Sequence, residues 1–277
     1  MSLNSKLVAK IESEEATQKL AVLIDADNVQ ASIIEGLLAE IARFGEATVK
    51  RIYGDFTSPT NTQWKQVLNK FAIKPVQQFA YTTGKNATDS TMIIDAMDLL
   101  YTKRFDGFCI ISNDSDFTGL AIRIKEEGLS VYGFGERKTP ISFRNACHKF
   151  VFTEVLRPTV NKKVTTENKD KSNKTNNQQT SPQDVEKVEK AMTKNLTKKF
   201  PSPFFKEAAK NASVKDGWVQ IGTFGSYLNR LKPDFDVRNY GYKKLSELVK
   251  SKTDIFEFEE RKQPNSTTKT LYLRVKD

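Results

Sequence analysis

The sequence predicts a three-layer α/β/α domain with a mostly parallel sheet, followed by a small α+β domain of the winged helix-turn-helix type. From residue 20 to residue 156, short apolar runs alternate with amphipathic helical segments, which is typical of βαβ units. Residues 157–183 are dominated by Asn, Lys, Thr, Ser and Gln, and they are predicted to form a disordered linker. Residues 1–19 are a polar N-terminal extension, and an ordered pattern resumes over residues 184–277.

Six apolar runs are the predicted strands of the first domain. Short apolar runs bounded by turn residues are typical of strands that are buried on both faces. Right-handed crossovers favour the order 3-2-1-4-5 for the first five strands, which places the first and fourth side by side. The runs are Leu20–Asp25, Ala47–Tyr53, Ile73–Phe79, Gly107–Ile111, Leu129–Phe134 and Phe150–Leu156.

Apolar residues at helical spacing predict the helices between these strands. The first helix should close at Gly45, the second should open at Ser58-Pro59, and the fourth should end at Gly128. The third helix begins near Thr88, and a short helix follows Pro140. The apolar faces are Ile33, Ile34, Leu37, Leu38 and Ile41, then Trp64, Val67, Leu68 and Phe71, then Met92, Ile93, Ala96, Leu99 and Leu100, then Phe117, Leu120 and Ile124.

The C-terminal domain is predicted to contain four helices and a two-stranded wing. Helical stripes predict the first three helices, and Asp236 is the expected N-cap of the fourth. Segments Phe256–Glu259 and Thr270–Val275 alternate as two strands of a hairpin. The stripes are Val185, Val188, Met192 and Leu196, then Phe204, Phe205 and Ala208, then Phe224, Leu228 and Leu231, and the fourth helix carries Tyr242, Leu245 and Val249.

The formal net charge of +10 is concentrated in the C-terminal domain. Residues 185–277 contain 20 basic and 12 acidic residues, whereas residues 20–156 contain 15 basic and 16 acidic residues. Such an excess in a small domain indicates an anionic polymer as partner. The two cysteines, Cys109 and Cys147, are interpreted as apolar thiols rather than as disulfide partners. No apolar run approaches the length of a membrane-spanning helix, so we expect a cytoplasmic protein.

Aspartates follow two of the predicted strands and begin one predicted helix. Asp25 ends the first strand, Asp114 and Asp116 follow the fourth, and Asp89 lies on the first turn of the third helix. The carboxyl ends of parallel strands share one edge of the sheet, where ligands bind. Clustered carboxylates repel one another unless a cation or a shared proton offsets their charge. Hard oxygen ligands without histidine or thiol select Mg²⁺ or Mn²⁺.

Each of these acids also has a simpler structural interpretation. Asp27, Asn28 and Asp116 are suited to capping the helices that follow them, and Asp89 is tolerated at a helix N-terminus by the dipole. The chain has no P-loop, no G-x-S-x-G motif and a single histidine, His148. Metal-assisted attack of water on a phosphate ester is the chemistry that remains.

Residues 20–156 resemble an NYN domain, a branch of the PIN-like ribonucleases that includes the LabA-like proteins. The resemblance is carried by Ile24–Asn28, by Gly84–Asp89 with Ile94-Asp95, and by Ser112–Phe117. The family usually has glycine where this chain has Asn113, and small or glutamate-containing variants are common at Ala26-Asp27.

The NYN resemblance implies a PIN-like fold and metal-dependent cleavage of RNA. Asp25, Asp89, Asp114 and Asp116 would hold Mg²⁺ or Mn²⁺ and activate water. A supporting role around these ligands falls to Asn28, Asp95 and Ser112, and Lys85 would contact phosphate.

The C-terminal domain resembles an OST-HTH, or LOTUS, domain, chiefly through Pro233–Leu248. This resemblance implies a winged helix that binds RNA, in some members G-rich or quadruplex RNA, and in others protein helicases. Lysine and arginine side chains attract phosphates, and aromatic rings stack on unpaired bases. The expected RNA-binding residues are Arg230, Lys232, Arg238, Tyr240, Lys243 and Lys244.

Together these features predict an endoribonuclease domain tethered to an RNA-binding domain. Three alternatives remain at this point. The NYN domain could scaffold RNA without cutting it, as in a regulatory or adaptor protein. Asp25-Ala26-Asp27 followed by Val29 also resembles the D-x-D motif of haloacid dehalogenase-like phosphatases, which leaves Asp89 unexplained. DNA is a further possible substrate, because two-metal cleavage needs no 2′-hydroxyl.

Overall fold

The computed structural model describes residues 17–57, 63–79, 87–157, 200–214, 216–262 and 269–276. The described residues fall into two compact units: the first runs up to Arg157 and includes Asn229–Phe235, and the second comprises the remaining C-terminal residues. Several predictions lie outside the described residues, namely those for residues 1–16, the linker over 158–183, the Ser58-Pro59 helix start and the stripe from Val185 to Leu196.

A six-stranded parallel sheet forms the centre of the first unit. Its strands are β1 (Lys19–Asp25), β2 (Glu46–Gly54), β3 (Lys74–Gln77), β4 (Gly107–Ile111), β5 (Ser130–Gly135) and β6 (Lys149–Phe152). They lie in the order β3-β2-β1-β4-β5-β6, with every neighbouring pair parallel. The predicted order of the first five strands and the predicted fold class are confirmed, and β6 extends the sheet beside β5.

The last predicted strand, Phe150–Leu156, is only half a strand. β6 ends at Phe152, and Thr153–Leu156 form a 3₁₀ turn instead. The turn brings the Leu156 carbonyl against a helix, where a Cβ at Gly36 would lie 2.4 Å from that oxygen. The chain therefore leaves the sheet edge to pack its last apolar residues on the helical layer.

Helices cover both faces of the sheet and complete three layers. On one face lie α1 (Ile34–Ile41), preceded by a 3₁₀ turn at Ala31–Ile33, and α2 (Trp64–Lys70). On the other face lie α3 (Ala87–Tyr101), α4 (Phe117–Glu126) and α5 (Ile141–Ala146). Alternate residues of each strand enter one core or the other, as a period of two requires. Ala21 and Leu23 of β1 lie in the α3–α5 core, so Asp25 continues the row on that side.

The second unit combines helices with a small antiparallel sheet. Its elements are α6 (Ser202–Ala212), β7 (Val219–Gln220), α7 (Ile221–Leu231), a 3₁₀ turn (Val237–Tyr240), α8 (Leu245–Lys250), β8 (Phe256–Lys262) and β9 (Lys269–Val275). The sheet has the order β7-β9-β8, so the predicted two-stranded wing gains a third strand.

The predicted fourth helix of this unit is divided into two short elements. Asp236 does cap, since its side chain accepts a hydrogen bond from the Arg238 N–H, but it caps the 3₁₀ turn. Gly241 then adopts a left-handed conformation with φ of 82°, which ends the turn before α8 begins. Among the described helices, none is both long enough and apolar enough to span a bilayer.

Candidate metal centre

Three of the four predicted carboxylates meet at the carboxyl edge of the parallel sheet. Asp114 and Asp116 lie in the turn between β4 and α4, and Asp89 lies on the first turn of α3. One carboxylate oxygen from each of these three residues lies within 4.8 Å of the others. A set of hard oxygen donors at this spacing fits Mg²⁺ or Mn²⁺, and it offers neither the thiolate nor the imidazole that zinc prefers.

Asp25 ends β1 beside this cluster and is almost completely buried, with 1% of its surface exposed. Its Oδ2 accepts hydrogen bonds from Asn28 Nδ2 at 2.6 Å and Ser112 Oγ at 2.8 Å. Its Oδ1 accepts one from the Asp27 N–H at 3.1 Å. An ionised carboxylate has about four acceptor sites, so these bonds leave room for one further partner. Burial raises the pKa of Asp25, and the hydrogen bonds oppose that rise.

Burial and the neighbouring carboxylates together raise the pKa of Asp89. Burial, followed by repulsion from Asp25, Asp114, Asp116 and Asp27, raises the pKa of its carboxyl to about 6. A cation at this site would remove the repulsion and favour the ionised form. The arrangement is therefore suited to binding a divalent ion.

The turn after β4 is organised by its own side chains. Ser112 is fully buried, and its Oγ accepts a hydrogen bond from the Asp114 N–H at 3.1 Å while donating to Asp25. Asp114 Oδ1 accepts from the Asp116 N–H at 3.1 Å. Asp116 stands at the N-cap of α4, yet no described backbone N–H donates a capping bond to its side chain. A capping role therefore does not account for Asp116 here.

Asp95 lies on α3, where its carboxylate binds two side chains of β2. Arg51 Nη1 donates to Asp95 Oδ1, and the Tyr53 hydroxyl donates to Asp95 Oδ2. Tyr53 is fully buried, and burial together with Asp95 raises the pKa of its hydroxyl. These bonds direct both oxygens of Asp95 toward β2, so Asp95 ties the helix that carries Asp89 to the sheet. The sequence predicted a supporting role for Asp95 but none for Arg51 or Tyr53, because local patterning shows both partners only as ordinary strand residues.

Asn28 and Asn113 lie between the acidic turn and the neighbouring loops. Asn28 donates to Asp25 through its side chain, and its carbonyl accepts from Asn113 Nδ2 at 3.0 Å. No role was predicted for Asn113 from the sequence, where it differs from the glycine that is usual in the family. Lys85, the predicted phosphate contact, lies outside the described residues.

The predicted RNA-binding residues of the C-terminal domain occupy different environments. Lys243 and Lys244 are exposed immediately before α8. The guanidinium of Arg238 binds the Asp236 carboxylate, with Nη2 2.6 Å from Oδ2. Tyr240 packs edge-on against the rings of Phe200 and Phe205. Arg230, in the last turn of α7, is exposed as well, and Lys232, just beyond that helix, is half-buried.

The outer face of the three-stranded sheet carries a cation–π cluster that the sequence did not reveal. The guanidinium of Arg261 lies 5.2 Å from the ring of Trp218 and 4.7 Å from the ring of Tyr272. The guanidinium of Arg274 lies 4.9 Å from the same indole. The pairing of β8 with β9 places Glu259 opposite Tyr272 and Glu257 opposite Arg274, which brings the side chains of the cluster together on this face of the sheet. Ion pairs from Arg261 to Glu259 and from Arg274 to Glu257 hold both guanidiniums in place.

Comparison with known proteins matches both units to domain families. Residues 19–156 match the NYN domain, and residues 187–267 match the OST-HTH/LOTUS domain. An uncharacterized protein of Methanocaldococcus jannaschii is 25% identical over 144 residues, covering 48% of this chain and 54% of that protein. The chain thus spans about half the length of this curated relative.

Solved structures of proteins without an assigned function are also similar to parts of the chain. A solution structure from Nitrosomonas europaea is 43% identical, covers 40% of this chain and 91% of that one, and has a TM-score of 0.28. A crystal structure from Vibrio parahaemolyticus is 19% identical, covers 50% of this chain and 95% of that one, and has a TM-score of 0.43. The family matches confirm the two resemblances drawn from the sequence. The chain is therefore an NYN-domain protein with a C-terminal OST-HTH/LOTUS domain.

Proposed function

We propose that the protein is a metal-dependent endoribonuclease whose C-terminal domain recruits the RNA. The observation that carries this proposal is the approach of Asp89, Asp114 and Asp116 to within 4.8 Å of one another, beside the buried Asp25. In a domain of the PIN-like nuclease type, this cluster supports hydrolysis of RNA phosphodiester bonds. A phosphatase of the D-x-D type would leave Asp89 without a role.

Asp89, Asp114 and Asp116 would hold Mg²⁺ or Mn²⁺, with Asp25 as the fourth carboxylate. When bound, such an ion lowers the pKa of water and offsets the charge that develops on the phosphate. Asp89 must be ionised for this, and with a pKa of about 6 its carboxyl is mostly ionised at neutral pH and becomes protonated below it.

The surrounding residues orient the carboxylates. Ser112 and Asn28 each donate a hydrogen bond to Asp25, so its carboxylate cannot rotate freely about the end of β1. Asp95 anchors α3, and with it Asp89, to Arg51 and Tyr53 of β2. We assign Lys85 to phosphate binding from the family resemblance alone.

RNA cleavage by the full-length protein in Mn²⁺ tests the catalytic proposal. We expect Asp25→Asn and Asp114→Asn each to lower the rate by at least about 100-fold. Each substitution removes a negative charge that would hold the cation, and the cation is what offsets the negative charge that develops on the phosphate. Asp98→Asn is the matched control, since Asp98 is exposed on α3 and makes the same charge change away from the cluster. Cleavage of a circular RNA separates endonuclease from exonuclease action, and a DNA of the same sequence tests the substrate class.

Unchanged cleavage by both site variants would contradict the proposal. An alternative outcome would identify a non-catalytic RNA-binding adaptor: the protein would bind RNA but neither bind Mn²⁺ nor cut RNA. The comparison therefore needs Mn²⁺ binding and RNA binding measured alongside cleavage.

We assign RNA recruitment to the basic C-terminal domain. A cluster of carboxylates repels phosphates, so a separate cationic domain favours the encounter, and tethering raises the local RNA concentration. Lys243 and Lys244 are two adjacent exposed candidates, and Arg230 is a third. Replacing both by alanine should reduce the slope of log affinity against log salt by about 1.4 for single-stranded RNA.

The matched control for this measurement is the Lys65→Ala, Lys74→Ala pair, which removes two exposed charges from the first unit. An equal loss of salt dependence in the control pair would show that the effect is only one of net charge. Comparing G-rich with other oligonucleotides in the same assay tests the expected RNA preference, and a protein partner of the LOTUS domain remains a further proposal.

A further inference from the structure

Asn113 connects three loops at the carboxyl edge of the sheet. It follows Ser112 and precedes Asp114, and only 8% of its surface is exposed. Its Nδ2 donates to the Asn28 carbonyl at 3.0 Å, in the loop after β1. Its Oδ1 accepts from the Glu136 N–H at 2.6 Å and from Thr139 Oγ at 3.1 Å, both in the loop after β5. One amide side chain therefore uses a donor and an acceptor to hold the flanking loops.

The loop after β5 lies close against the turn after β4. A Cβ at Gly135 would lie 2.5 Å from Thr139 Oγ, 2.6 Å from the Ser112 carbonyl and 3.0 Å from Asn113 Oδ1. Glycine at this position permits the close approach of the two strand ends. Thr139 is itself 1% exposed, so the hydroxyl that donates to Asn113 Oδ1 is buried.

The loops held by Asn113 carry the groups that orient Asp25. Asn28, whose carbonyl binds Asn113, donates from its side chain to Asp25 Oδ2. Ser112 donates to the same oxygen and also accepts from the Asp114 N–H. Asn113 thus lies between two residues that set the positions of Asp25 and Asp114, although it contacts neither carboxylate.

We infer that Asn113 is a positioning residue that sets the spacing between Asp25 and Asp114 through the Asn28 and β5 loops. The inference deepens the proposed function and rests on it, because the spacing matters through the metal that the carboxylates would hold. Partners behind metal ligands typically change metal affinity by about 10- to 100-fold when they are removed. The side chain acts through other residues, so its effect should appear in metal binding even when no RNA is present.

The test is a calorimetric titration of Mn²⁺ into the full-length protein. We expect Asn113→Ala to weaken Mn²⁺ binding by at least about tenfold, since it releases both loops at once. Thr139→Val keeps the shape of the side chain and removes one of the two donors to Oδ1, so it should weaken binding by a smaller factor. This second variant keeps the inference testable even if Asn113→Ala folds poorly.

Ile124→Ala is the control for general destabilisation. Ile124 is fully buried in α4 and belongs to the core rather than to the metal centre, so its variant should lower the melting temperature without changing Mn²⁺ affinity. Mn²⁺ affinity of Asn113→Ala within twofold of wild type would overturn the inference, as would an equal loss in Ile124→Ala. If the wild-type protein itself bound no Mn²⁺ and cut no RNA, the proposed function would fail together with this inference. If the wild-type protein bound Mn²⁺ and Asn113→Ala bound it equally well, only the inference would fail.

Discussion

The Asp95 network makes a prediction about stability that can be worked from its contacts. Asp95→Ala leaves the buried Tyr53 hydroxyl and the Arg51 guanidinium, whose side chain is 24% exposed, without their carboxylate. A buried polar group without a partner costs about 1–3 kcal/mol, and a charged one costs more. We therefore expect Asp95→Ala to lower the free energy of unfolding of the first unit by about 3 kcal/mol.

A double-mutant cycle with Tyr53→Phe isolates the bond between the two side chains. In the wild-type background, Tyr53→Phe removes a hydrogen bond to a charged acceptor and should cost about 1.5–3 kcal/mol. In the Asp95→Ala background the hydroxyl has already lost its acceptor, so removing it should cost nothing or restore some stability. The coupling energy should therefore be about 2 kcal/mol.

Urea unfolding followed by tryptophan fluorescence measures this cycle. The chain has two tryptophans, and Trp64 is fully buried in the first unit. With Trp218→Phe in every protein of the cycle, the emission of Trp64 reports on the first unit alone. Additive effects of the two substitutions, or a cost of Asp95→Ala below about 0.5 kcal/mol, would refute the assignment of Asp95 as the link between α3 and β2.

Two further predictions concern pH and backbone conformation. Because the pKa of Asp89 is raised to about 6, Mn²⁺ binding should be about tenfold weaker at pH 5 than at pH 8 in a calorimetric titration, and Asp89→Asn should flatten that dependence. The raised pKa also makes Asp89 contribute to the free energy of unfolding of the metal-free protein. This contribution is fully present at pH values below the ordinary pKa of 3.8 and is lost as the pH rises through about 6. A thermal melt that showed the opposite trend in Asp89-dependent stability would contradict the shift. In the second unit, Gly241→Ala should cost about 1–2 kcal/mol because φ is 82°, whereas Gly222→Ala in α7 meets no atom within 4 Å and should be neutral or stabilising. With Trp64→Phe in each protein, thermal unfolding followed through Trp218 compares these two variants, and an equal cost in both would refute the conformational explanation.

Much of the fold could be predicted because apolar patterning is a local property. The continuous run Gly107–Ile111 indicated a strand buried on both faces, and all five of its residues are buried. The boundaries were less predictable where distant contacts decide them. Leu156 leaves the sheet because it packs against α1, and that contact has no signature in the residues around it.

The grouping of the acidic residues at the candidate site could be predicted from the sequence, but the residues that hold them in position could not. Asp25, Asp89 and Asp114 stand at strand ends or a helix start, positions that local patterns reveal. Arg51 and Asn113 show their roles only through partners far away in the chain, such as Asp95 and Thr139. Side chains that act through long-range hydrogen bonds cannot be separated by sequence from ordinary polar residues.

Local sequence patterns were sufficient to predict the alternation of strands and helices, the basic C-terminal region and the aspartates that lie at strand ends on one sheet edge. These follow from hydrophobic period, composition and the shared direction of parallel strands. The approach of three carboxylate oxygens to within 4.8 Å of one another depends on the packing of separate elements, as do the hydrogen bonds from Ser112 and Asn28 to Asp25. The direction of Asp95 toward β2 is likewise seen only in the tertiary structure, since distances between side chains depend on packing across elements that are remote in sequence.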